Sequence, residues 1–303
     1  MAALTKLADR TPPGAALAVA VLAVSTSAIL VRWSAAPSLV KAFYRVAFTA
    51  LLLSPWVLTR HRDAFRRLGR RDLLVAAATG VALAVHFASW FESLRFTSVA
   101  ASVTLVQSQP LFVALGAWLA LDERVTRRTV AGILIAIAGM AAMTLPGATV
   151  GTVEGAGALY GNALAVVGAI TAAAYVLAGR SLRQRIDLLP YVTVVYVACA
   201  ATLLVVALAR GHAVSLSAYP PREWLLFLAM ALGPGVLGHT VVNWALEHVE
   251  SSVVSVSLLG EPVGSTLLAA LLLAEVPGPA TVAGGAVVLA GIYVTARSRR
   301  TGR

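Results

Sequence analysis

The sequence predicts an all-α integral membrane protein of ten transmembrane helices, arranged as two inverted five-helix repeats. Three observations point there: an excess of apolar residues, apolar runs of bilayer length from end to end, and an internal repeat at a constant offset. Of the 303 residues, 59% are hydrophobic and 12% charged, with a mean hydropathy of +0.85. Soluble domains hold about half apolar and about a quarter charged residues, and a soluble body of this size has too little interior to hide the excess. Lipid must cover the remainder. The hydrocarbon layer holds no water, so every backbone N–H and C=O must be satisfied internally, by helices or by a closed barrel. Unbroken Ala, Leu and Val runs without a period of two decide for helices.

About 20 apolar residues cross a bilayer as a helix. On that ruler the spans fall near 14–32, 38–58, 73–94, 98–121, 128–145, 157–178, 188–209, 222–244, 250–273 and 279–296. Pro13, Pro37, Pro146, Pro190, Pro221 and Pro279 stand at or just beyond span ends, where a residue lacking an N–H does least harm. Lys6 and Arg10 before the first apolar stretch resemble a secretory signal, but the stretch is long and leads into further spans, so it reads as an uncleaved first helix. Most Lys and Arg fall in segments sharing one side of the bilayer: the N-terminus, 60–71, 124–128, 180–185 and the C-terminus. The other side receives Arg32, Lys41, Arg95, Arg210 and Arg222. This bias places both termini in the cytoplasm. The net charge of +11 therefore orients a membrane protein and implies no nucleic-acid partner. Cys199 is the one cysteine, which excludes an intrachain disulfide.

Residues 97–139 and 249–291 align at an offset of 152: Pro110 matches Pro262, Glu123 matches Glu275, Gly132 matches Gly284 and Gly139 matches Gly291. At an offset of 153, His86 matches His239 and Phe91 matches Trp244. Residues 1–146 thus form a first five-helix repeat and residues 147–303 a second. Five is odd, so the halves insert in opposite orientation, an arrangement found in secondary transporters with substrate sites near the midplane.

The stretches SLRFTSVAASVTLVQSQPLFVALGAWLALDERVTRRTVAGILIAIAGM and VESSVVSVSLLGEPVGSTLLAALLLAEVPGPATVAGGAVVLAGIY each carry a span with a central Pro, a Glu at the following turn and a Gly-containing span. In this they resemble the EamA family of the drug/metabolite transporter superfamily, and APSLVKAFYRVAFTALLLSP resembles that family's second helix, with its Arg45. The resemblance implies ten helices, a central cavity between the halves and movement of small metabolites, commonly export of amino acids. One departure is Glu275-Val276-Pro277, which lacks the basic residue that follows Glu123.

Ionisable groups deep in a span cost about 2.5–3.5 kcal/mol on insertion scales, so each needs a reason. Glu261 stands about 18 Å into its span at 1.5 Å per residue. Its repeat mate is Gln109, and a proline follows each. Bends at such prolines free carbonyls that can face a cavity. Glu261 and Gln109 are accordingly expected to face it, Glu261 binding a substrate ammonium or exchanging a proton; the alternative is a protonated Glu hydrogen-bonded between helices. His86 with Trp90, and His239 with Asn243 and Trp244, form a second candidate set. Each His shares a helix face with the fourth residue after it, and together they could line opposite walls of one cavity. Arg45 either meets a carboxylate or snorkels outward. Tyr175, with Ser25, Ser27 and Tyr196, offers cavity hydroxyls or ordinary packing. Glu123 and Glu275 close their spans at opposite surfaces, where acids are cheaply solvated. The paired glycines permit close helix approach.

The expected function is secondary transport, as an exporter of small organic metabolites such as amino acids, by alternating access of the cavity between the repeats. The alternatives are an antiporter of phosphorylated or nucleotide-linked sugars, a channel, or an intramembrane enzyme acting on lipid-linked substrates. The first needs more buried cations than Arg45, the second shows no filter-like loop, and the third lacks grouped carboxylates. No cofactor or metal is expected, since no phosphate-cradling or metal-spaced motif occurs. The expected setting is the inner membrane of a prokaryote, with the lipid bilayer and a small-molecule substrate as partners of a monomer.

Overall fold

The computed structural model describes residues 13–60, 68–121, 126–143, 156–183, 186, 188–241, 257–258 and 260–298. Among them every regular element is helical: α1 (Pro13–Ser25), α2 (Ser27–Trp33), α3 (Ser38–Arg60), α4 (Arg70–Ser93), α5 (Val99–Val106), α6 (Gln109–Leu121), α7 (Arg127–Met143), α8 (Ala156–Arg183), α9 (Leu188–Ala209), a short 3-10 helix (Leu216–Ala218), α10 (Pro221–Met230), a π-helix (Ala231–Thr240), α11 (Gly260–Leu273) and α12 (Pro279–Ser298). Helix falls within each predicted stretch. Five described segments are long and apolar enough to cross a membrane: Gly14–Trp33, Arg70–Ser93, Val99–Gly116, Ala156–Gly179 and Leu189–Ala209. Large apolar side chains such as Leu22, Leu119, Leu134 and Leu271 are exposed on the outward faces, as a lipid-covered surface requires.

Three spans read as continuous are interrupted, each for a local reason. Between α1 and α2, Ser25 and Thr26 donate their hydroxyls back to the Val21 and Ala23 carbonyls, each at 2.7 Å; such back-bonding bends helices. Between α5 and α6, Pro110 has no N–H to give and its ring crowds the carbonyl four residues earlier, so α5 stops at Val106. The expectation of a bend at this proline is met. Pro262, its repeat mate, lies on α11, and residue 259, just ahead of that helix, is outside the described residues. In the eighth stretch the α-helix widens to a π-helix around Pro234, a form concentrated at functional sites.

The repeat reappears in the packing of α7 against α12. A Cβ on Gly139 would stand 2.6 Å from the Val288 N and 2.7 Å from the Gly284 O. A Cβ on Gly291 would stand 2.6 Å from the Ala136 N and from the Gly132 O. The two contacts are the same contact with the halves exchanged, and only glycine permits it.

Two charges near span ends are buried and paired. Lys41, counted to the external side, lies in the first turn of α3, buried, with Nζ donating to the Val31 and Ser34 carbonyls at 2.9 and 3.0 Å. The last carbonyls of α2 lack helical partners and attract a cation. Glu275 is not the solvated helix-end acid the sequence suggests. It is 8% exposed and held by Arg32 and the Val99 N–H. Glu123 lies outside the described residues.

Candidate functional site

The interruptions converge on one cavity. Its volume is about 220 Å³, and its walls come from both halves: the α1–α2 break, α3, α4, the α5–α6 break, α8, α9, the π-helix and the start of α11. Arg45, His86, Trp90, Gln109, Tyr175 and Glu261 all line it, with Ser27 and Tyr196. These residues are scattered along the chain, and the structure brings them together.

Arg45 is 2% exposed, so it does not snorkel to the surface. Its side chain turns inward because α3 buries that face against α4 and α9. The guanidinium carbon lies 4.6 Å from the centre of the Phe87 ring, 5.6 Å from Phe91 and 5.9 Å from Trp90, within reach of cation–π attraction. Nη1 donates to Ser27 Oγ at 2.8 Å. A guanidinium has five N–H donors, and this is the one hydrogen bond it makes among the described residues.

Glu261 opens α11. Its Oε2 accepts from Gln107 Nε2 at 2.6 Å. Close packing of α1 on α11 fixes its backbone: Ser265 Oγ donates to the Ser25 carbonyl at 3.0 Å, and Gly264 leaves room for the Ser25 side chain. The ion pairs within 4 Å among the described residues are Arg32–Glu275 and Arg95–Glu92. Arg45 and Glu261 therefore share a cavity without closing on each other.

His86 faces the cavity with its Nδ1 2.9 Å from the Gly168 carbonyl. A carbonyl only accepts, so Nδ1 carries the hydrogen and neutral His86 keeps Nε2 as an acceptor. The ring stacks on Trp90 at 5.9 Å. Of the second histidine set, His239 lies on the π-helix, and its side chain, like Asn243 and Trp244, is outside the described residues. Sequence reasoning missed Gln107 and Phe87. The available signal for Gln107 was a second amide in the same apolar run, two residues before Gln109 and just ahead of a proline.

The comparisons with known proteins agree with this architecture. The model of the EamA-like transporter family matches residues 13–145 and again 159–297. An uncharacterized transporter of Archaeoglobus fulgidus is 26% identical over 84% of this chain and 86% of its own length. The uncharacterized transporter YetK of Bacillus subtilis is 28% identical over 76% of this chain and 70% of its own. The pseudopaline exporter CntI of Pseudomonas aeruginosa is 26% identical over 85% and 86%. A solved crystal structure superposes with a TM-score of 0.65 at 21% identity, over 95% of this chain and 98% of that one, so the fold is shared. With the model matching in two copies and relatives named as transporters, this chain belongs to the EamA-like transporter family, a multi-pass membrane transporter of two-repeat architecture.

Proposed function

We propose that the protein is a secondary carrier exporting small zwitterionic metabolites, amino acids foremost, by exposing the central cavity alternately to the two sides of a prokaryotic inner membrane, with both termini cytoplasmic. The observation that carries this reading is the open pair of opposite charges in one cavity: Arg45 donates to Ser27 and Glu261 accepts from Gln107, with no ion pair between them among the described residues. Opposite charges attract strongly where water is scarce, and a ligand with an ammonium and a carboxylate completes both. Its ammonium meets Glu261 and its carboxylate the remaining guanidinium donors, while Leu83, Phe87 and Trp90 offer an apolar wall to the side chain.

Arg45 belongs to the proposed half 1–146 and Glu261 to the half 147–303, so rocking one half on the other changes the gap between the charges. The export direction draws on the name of the Pseudomonas relative, an exporter of pseudopaline. Phosphorylated substrates fit less well, because Arg45 is the one Arg or Lys among the described lining residues.

Counterflow in proteoliposomes tests the reading. Vesicles preloaded with one unlabelled amino acid at a time should take up its labelled form above empty liposomes, and Glu261→Gln and Arg45→Gln should abolish the uptake. Silence across the amino acids with folded protein, or wild-type counterflow by Glu261→Gln, would overturn it.

A further inference from the structure

Away from the cavity, at the end where α2, α4 and α11 stop, two buried acids from beyond residue 147 reach across to backbone N–H groups before residue 147. Glu275 Oε1 accepts from the Val99 N at 2.6 Å, and its Oε2 accepts from Arg32 Nη2 at 3.0 Å. The same Arg32 nitrogen donates to the Thr97 carbonyl at 3.2 Å. Glu223, itself 3% exposed, accepts from the Ala35 N at 2.9 Å through Oε1 and from the Ser34 hydroxyl through Oε2.

The Glu275 contact has the chemistry of a helix cap, whereas Glu223 holds a loop N–H, that of Ala35 just beyond the C-terminal end of α2. The first N–H groups of a helix have no partner within it, and the N-terminus of a helix favours negative charge. In α5, Ser98 Oγ accepts from the Ala101 N, while the Val99 N–H is given to an acid of the opposite half. Ala274, just before Glu275, holds a φ of +54°. A non-glycine residue in that region carries strain of about 1–2 kcal/mol, so the chain departs from its preferred backbone immediately before the acid that makes the cross-half contact.

We propose that Glu275 and Glu223 form a latch that holds this end of the carrier shut by accepting hydrogen bonds from backbone N–H groups of the other half, and that opening at this end releases both contacts. A buried carboxylate stripped of its partners is costly unless water reaches it. The latch therefore has two favourable conditions, closed and paired or open and hydrated, with a dry broken state between them. That makes the interface bistable, the property a two-state transition needs. The proposal rests on the carrier reading, but its test needs no substrate.

Nitroxide labels at Arg95 and Leu216, both on exposed side chains of opposite halves, in a Cys199→Ala background, would report the separation of the halves by electron–electron dipolar spectroscopy. The parent should show one dominant distance. Glu275→Gln should raise the share of a longer distance about tenfold, Glu223→Gln comparably, and Arg32→Gln less, since Glu275 keeps Val99. Unchanged distributions in these variants, with or without a lower melting temperature, would reduce the acids to structural staples and overturn the proposal. Should Glu275→Gln fail to fold, Glu223→Gln and Arg32→Gln decide by the same criterion. Shifted distances with no counterflow by the parent would sink the zwitterion reading and leave the latch standing; intact counterflow with unmoved labels would do the reverse.

Discussion

The two halves meet at the α7–α12 crossing and again around the cavity, and the two meetings differ in kind. At the crossing, backbone lies on backbone through Gly139 and Gly291, and each contact is the repeat image of the other. Around the cavity the images have diverged. Glu261 stands opposite its mate Gln109, its partner Gln107 corresponds to Leu259, and Arg45 corresponds to Val197 or Ala198 at the two offsets. Packing tolerates identity between halves, because two copies of one surface fit by symmetry. Recognition of a ligand with unlike ends does not. The lesson is that symmetry persists where the repeats only pack and is lost where charge is presented.

The strongest way to break this contrast is at the crossing. Gly139→Leu or Gly291→Leu should abolish folded yield in size-exclusion chromatography, since overpacking costs at least about 1–3 kcal/mol and here meets backbone that cannot yield. Gly14→Ala, with nothing within 4 Å of its Cβ, should leave yield unchanged. At the cavity, Glu261→Gln should lose counterflow by at least about a hundredfold with a nearly unaltered melting temperature, because hydrogen bonding to Gln107 survives while the charge does not. Next comes Arg45→Lys. It keeps the charge but not the planar fork, and an affinity loss of about tenfold in a binding titration is expected. Smallest is Ser27→Ala, which removes one hydrogen bond to a charged group and should weaken affinity about three- to tenfold. Equal stability losses from the cavity variants and the crossing variants would erase the distinction.

Much of the fold was legible in the sequence because lipid imposes a coarse and local rule. Helix positions follow from apolar length, and the repeat from matched prolines, acids and glycines. Pro110 announced its bend by lacking an N–H. The breaks at Thr26 and in the π-helix were not legible, since they depend on which carbonyl a hydroxyl finds and on how Pro234 is accommodated. Glu275 was misread for a related reason. A charge near a span end faces water or a helix terminus depending on what packs beside it, and sequence position does not reveal the neighbour.

By itself, then, the sequence determined that this chain is helical, membrane-embedded and doubled, because hydrophobicity and backbone satisfaction act residue by residue along the chain. It also singled out Arg45, His86, Trp90, Gln109, Tyr175 and Glu261, since polar groups in apolar runs are costly wherever they end up. Only the tertiary structure decided that these six line one cavity, that Gln107 rather than Gln109 holds Glu261, and that Arg45 stays apart from that acid. The energy of a buried charge is set by partners a few ångströms away in space, and those partners come from helices far apart in the chain.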